Sequence, residues 1–110
     1  MEHRFVPATY YRSLGPHPAA LHVAAGDTVI TSTVDARGYD LNREQATPRG
    51  NPQTGPFYVE GAEPGDTLVV QLDKVQPNRR YGWCGSSVAP NVVDPAYVRE
   101  LPEAPLAEWD

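Results

Sequence analysis

The chain of 110 residues has one cysteine, one methionine, two phenylalanines and no long apolar run. A single cysteine, Cys84, excludes an internal disulfide framework and fits a reducing compartment. The apolar runs are too short to span a bilayer. Basic residues are few: nine Lys and Arg stand against 14 Asp and Glu, for a net charge of -5. That leaves no basic patch for nucleic acid. The first residues, Met1-Glu2-His3-Arg4-Phe5, carry neither the basic nor the apolar region of a secretion signal. These absences lead us to expect a cytoplasmic protein with neither a nucleic-acid nor a membrane partner.

Proline and glycine are plentiful, at 12 and nine. Spread along the chain, they disfavour long helices. Alternation dominates instead. Asp27–Asp35 and Thr67–Val75 are rich in Thr, Val, Ile and Leu and read as strands. Phe57–Glu60, Leu21–Val23 and Arg4–Val6 read as shorter ones. A Gly-Asp turn appears twice, in Ala24-Ala25-Gly26-Asp27-Thr28-Val29 and in Glu63-Pro64-Gly65-Asp66-Thr67-Leu68. Glycine supplies a left-handed backbone there, and aspartate accepts backbone N–H groups. The expectation is all-β: two similar hairpins in an antiparallel β-sandwich, with long loops and little helix. One domain of this length should hide roughly 65% of its unfolded surface around a modest core. Asp94-Pro95 begins a single helical turn, with Asp94 as cap. Residues 106–110 read as a strand cut short.

Residues 36–56 form a polar connection longer than usual, and such loops tend to carry function. Asp35 stands where it begins and is a candidate general base or metal ligand, against the plainer role of a turn aspartate. His17, fixed between Pro16 and Pro18, is a candidate ligand or proton carrier. Asn51, Thr54 and Gly55 lie in a rigid corner. There side-chain groups can orient a substrate and backbone N–H groups can receive an oxyanion. Glu60, after an apolar run, is a candidate general acid. Asp27 and Asp66 recur at matched turns and read as structural, and His22 as a quiet strand residue. Trp83 is a candidate pocket wall. Cys84 lacks a nearby base, and Ser86-Ser87 do not form a nucleophile elbow. No zinc-type spacing is present, so any metal would draw on separated segments.

The stretch Asn51-Pro52-Gln53-Thr54-Gly55-Pro56, followed by Val59-Glu60-Gly61-Ala62-Glu63-Pro64-Gly65-Asp66, resembles the acetamidase/formamidase family of amide hydrolases. Ala25-Gly26-Asp27-Thr28-Val29, Thr33-Val34-Asp35-Ala36 and Gly15-Pro16-His17-Pro18 agree. The resemblance covers roughly residues 14 to 75. It implies hydrolysis of the C–N bond of a short linear amide such as formamide or acetamide, giving a carboxylate and ammonia. Within this chain it points to Asp35, His17 and the Asn51–Pro56 corner; taken with the candidates read from the residues, catalytic roles would fall to Asp35 and Glu60, substrate contacts to Asn51, Thr54, Gly55 and Trp83, and metal contacts to His17 and Asp35. The metal would be a divalent ion, zinc or calcium. Family members are longer, so residues 1–110 read either as a single sandwich or as the N-terminal part of such an amidase. The rest of the site would lie in a missing C-terminal half, or the chain would form a homo-oligomer. The rival reading is a non-catalytic β module that pairs with a partner chain.

Overall fold

A computed structural model describes residues 1–85, 88–103 and 105–110. The chain divides into two compact units, Met1–Asn78 and Arg79–Asp110. The first holds four strands: β1 (Glu2–Phe5), β2 (Leu21–Val23), β3 (Thr28–Thr31) and β4 (Phe57–Val59). The second holds β5 (Gly82–Gly85) and β6 (Leu106–Trp109), with short 3-10 turns at Pro90–Val92 and Val98–Glu100. Helix is almost absent, as the proline content implies.

The pairing departs from the expected antiparallel sandwich. β1 runs parallel to β3, with Glu2 opposite Thr28 and Phe5 opposite Thr31. β2 runs parallel to β4, with Leu21 opposite Phe57 and Val23 opposite Val59. β5 and β6 are antiparallel, joining Gly82 to Trp109 and Gly85 to Leu106, and isolated antiparallel bridges join Tyr11 to Gln53 and Tyr39 to Gln45. The turn chemistry explains the difference. Asp27 N–H donates to Ala24 carbonyl at 3.1 Å, and Gly26 takes φ +88°. Asp66 N–H donates to Glu63 carbonyl at 3.0 Å, and Gly65 takes φ +103°. A glycine of positive φ at the third position, after Pro64 in the second copy, is the arrangement of a type II turn. Type II turns splay the flanking segments, whereas hairpins need the mirror-image turns. The first Gly-Asp turn is therefore a corner that sends β2 into one ladder and β3 into another.

Two strands expected from composition shorten or vanish. The first survives only as Thr28–Thr31, because Asp27 belongs to the turn and the chain leaves the ladder at Ser32. Thr67–Val75 joins no ladder among the described residues; Leu68, Val69, Val70, Leu72 and Val75 are all exposed. Strand propensity is realised only against a partner strand. The expected helical turn is present in small form: Asp94 Oδ1 accepts Ala96 N–H at 2.8 Å, and its carbonyl accepts Tyr97 N–H. The C-terminal apolar segment is β6, paired along one side by β5.

The expected core is missing. Among the described residues no hydrophobic side chain is fully buried. The accessible surface is 8993 Å², against about 6,000 Å² for a compact monomer of this mass. Two separate compact bodies of the sizes of these units would still expose only about 7,000 Å². In the first unit, the two parallel ladders meet through Phe5 and Phe57, edge to face at 5.2 Å and 88°. Such a pair adds roughly 0.5–1.5 kcal/mol beyond its buried area.

Asp27 ties this unit's first segments together. Its Oδ1 accepts the Met1 ammonium at 2.5 Å, and its Oδ2 accepts His3 Nε2 at 2.8 Å and Ala24 N–H at 2.9 Å. The ammonium first, then the Ala24 amide and His3, hold this carboxyl well below the usual carboxylate range. A lowered folded pKa stabilises the fold above the unfolded value and ceases to do so as pH falls toward the folded one.

Two outcomes follow for stability. Phe57→Ala should cost about 2 kcal/mol in denaturant unfolding, below the fully buried range because the ring is only half-buried. The native chain should melt above Asp27→Asn at neutral pH, with the gap closing as pH drops below the ordinary carboxylate range. A gap unchanged across that drop would contradict the role given to Asp27.

Candidate functional site

The long connection is folded on itself by two aspartates. Asp35 Oδ1 accepts the N–H groups of Arg37 and Tyr39, each at 2.9 Å. Asp40 Oδ1 accepts those of Asn42 and Glu44 at 2.8 and 3.0 Å. Between them Gly38 is buried at φ +87°, and its carbonyl accepts Ala46 and Thr47 N–H. A Cβ on Gly38 would sit 1.9 Å from Thr47 carbonyl oxygen, so only glycine fits. The return strand of the loop closes on Ala36, whose carbonyl accepts Gly50 and Asn51 N–H at 3.1 and 3.0 Å. Asn51 itself is left-handed, at φ 55°, a conformation asparagine tolerates.

This closure carries Asp35 toward the Asn51–Pro56 corner. The segment bearing His17 is fastened to the same corner at both ends. Gln53 N–H donates to Tyr11 carbonyl, and Ala20 N–H to Pro56 carbonyl, each at 2.8 Å. Backbone bonds thus tie the loop that Asp35 begins and the segment that bears His17 to one corner, although they are far apart in sequence. Thr54 is half-buried and Gly55 buried, at φ +114° before a cis bond to Pro56. The N–H groups of Thr54 and Gly55 make no hydrogen bond to another described residue.

His17 stacks on Tyr11, with ring centroids 3.9 Å apart and planes within 10°. Its Nε2 lies 3.0 Å from Ser13 carbonyl and 3.2 Å from Ser13 Oγ. The ring is held by its own loop. Among the described residues no group of three or more His, Cys, Asp or Glu is arranged to hold a metal.

Glu60 leaves the end of β4, away from any burial. Its Oε1 lies 2.6 Å from His22 Nδ1, and both side chains are more than half exposed. The His22 ring sits 4.9 Å from Tyr58. Sequence reasoning passed over His22. The signal lies in the parallel register: His22 opposes Tyr58, and Glu60, two residues further on, projects on the same side. Trp83 belongs to the second unit, where Arg79 lies over its ring at 4.9 Å and over Tyr81 at 4.6 Å. Cys84 is exposed. Ser86 and Ser87 lie outside the described residues.

The geometry is that of a loop corner fastened by backbone bonds to the loop that Asp35 begins and to the segment that bears His17. The model of the acetamidase/formamidase family matches residues 12–94, and so takes in all three parts. The chain belongs to that family. It is 33% identical over 78 residues to a Schizosaccharomyces pombe protein named "Putative formamidase". That stretch makes up 62% of this chain and 19% of the relative. No solved structure matches. Among the described residues no helix is long and apolar enough to cross a membrane.

The Asp35 bonds separate shape from charge. Asp35→Asn keeps an oxygen for Arg37 and Tyr39 and should leave the loop intact, whereas Gly38→Ala should destabilise by at least about 2 kcal/mol through strain and collision. Thermal melts and the amide spectrum of residues 36–51 check both.

Proposed function

We propose that this chain supplies the substrate-cradling part of an amide hydrolase acting on short linear amides such as formamide and acetamide. Family membership across residues 12–94 carries the reading. Water adds to the amide carbonyl carbon, the C–N bond breaks, and the nitrogen leaves as ammonia while the acyl group becomes a carboxylate. The tetrahedral intermediate carries an oxyanion that needs pre-oriented donors. The uncommitted N–H groups of Thr54 and Gly55 suit that role, with the Asn51 and Thr54 side chains orienting the amide. Asp35 is the candidate base toward water. Glu60, bonded to His22, is the candidate acid toward the leaving nitrogen. Because the matched stretch is a fifth of the relative's length, the remaining catalytic groups are assigned to the rest of the family fold.

Titrating the purified chain with acetamide should shift the amide resonances of Thr54 and Gly55. Silence at both positions would remove the corner as a cradle. Ammonia release from formamide and acetamide, with and without zinc, is the companion assay. The chain alone should show none. Turnover abolished by Asp35→Asn would mean that the site is complete within these residues. Turnover indifferent to that change would dismiss Asp35 as the base.

A further inference from the structure

The two Gly-Asp turns are built alike but finished differently. In each, an aspartate carboxylate accepts the N–H three residues back: Ala24 for Asp27 and Glu63 for Asp66, both at 2.9 Å. In each, the chain then runs on as Thr followed by aliphatic residues. After the first turn, Thr28–Thr31 is covered by β1, and Val29 is half-buried. Strand β1 also brings His3 onto Asp27. After the second turn, nothing described covers the segment. Thr67–Leu72 makes no backbone hydrogen bond to a described residue, and no cationic group among them reaches Asp66. Leu68, the counterpart of Val29, is 66% exposed. In an extended chain Leu68, Val70 and Leu72 share one face, an apolar stripe beside backbone groups that no described segment pairs.

We propose that Thr67–Leu72 is a docking edge for a parallel β-strand from the part of the family fold beyond this stretch, and that this strand sets a cationic side chain on Asp66 as β1 sets His3 on Asp27. The first turn is the template for register and charge. The uncovered surface supports an occupant of that size. The chain exposes about 2,000 Å² more than two compact bodies would, which is the scale of a permanent interface and not of a passing contact. The relative has four-fifths of its length outside the matched stretch. A second copy fits less well. Its β1 is already spent on its own β3. A two-fold pairing of Thr67–Leu72 with itself would be antiparallel and would bring no cation to Asp66. The inference does not depend on the amide chemistry.

The test uses the intact chain and a synthetic peptide of β1 sequence, Met-Glu-His-Arg-Phe-Val-Pro, with a nitroxide at its C-terminus. Amide resonances of Thr67–Leu72 should shift, and their hydrogen exchange should slow, at peptide concentrations up to the millimolar range. The nitroxide should broaden Leu72 more than Asp66, as parallel pairing requires. Asp66→Asn in the chain, or alanine for histidine in the peptide, should weaken binding about five-fold, the upper end for an exposed ion pair. Val69→Pro, in a segment that joins no ladder, should abolish binding with the fold intact. No response at Thr67–Leu72, or a response confined to Thr28–Thr31, overturns the proposal. So do broadening strongest at Asp66 and concentration-dependent protection without peptide, the latter assigning the edge to a second copy.

Discussion

Asp27 fastens three pieces of chain at one point: the Met1 ammonium, the His3 ring and the Ala24 amide all bond to its two carboxylate oxygens. The placement of β1 depends on this junction. With β1 in place, β3 gains its ladder and Phe5 gains its contact with Phe57. The same device recurs along the first unit. Asp35, Asp40 and Asp66 each turn the backbone by accepting its N–H groups. Where a larger domain would rely on a buried core, this stretch relies on carboxylates satisfying turns. Such turns fix local geometry well but bury little, which agrees with the absence of any fully buried hydrophobic side chain among the described residues.

That economy suits a loop-built site. The Asn51–Pro56 corner is held on one side by Ala36 and on the other by Tyr11 and Ala20, through backbone bonds alone. Backbone bonds free the side chains of Asn51 and Thr54 for other partners. Asp35 serves the loop by accepting the N–H groups of Arg37 and Tyr39. The His22–Glu60 pair grows from a different feature, the parallel ladder of β2 and β4. Two kinds of construction, turn and ladder, thus position the acidic and imidazole groups of the first unit.

The family's longer chains give the exposed surface a meaning. A stretch that is 19% of its relative need not enclose its own core. The apolar stripe from Leu68 to Leu72 is an exposed edge of the kind that invites pairing. The duplicated turn shows what such pairing looks like, since its first copy already has it.

Much of this was legible in the residues themselves. The Gly-Asp turns, the scarcity of helix, the rigid corner and the family membership all rest on short-range pattern: which residue tolerates a positive φ, which fixes φ, which accepts a neighbouring N–H. These are local properties, and sequence states them directly. The parallel direction of β1 against β3 and of β2 against β4 was not legible, because strand composition is blind to direction and the turn type decides it. The pairing of His22 with Glu60 was hidden for the same reason, since it depends on the register between distant strands. Thr67–Val75 shows the limit most clearly: its residues favour a strand, yet a strand exists only where a second segment supplies the other half of every hydrogen bond. Sequence determined the turns and the corner; tertiary structure decided which segments meet, because meeting depends on the free energy of surfaces that lie far apart along the chain.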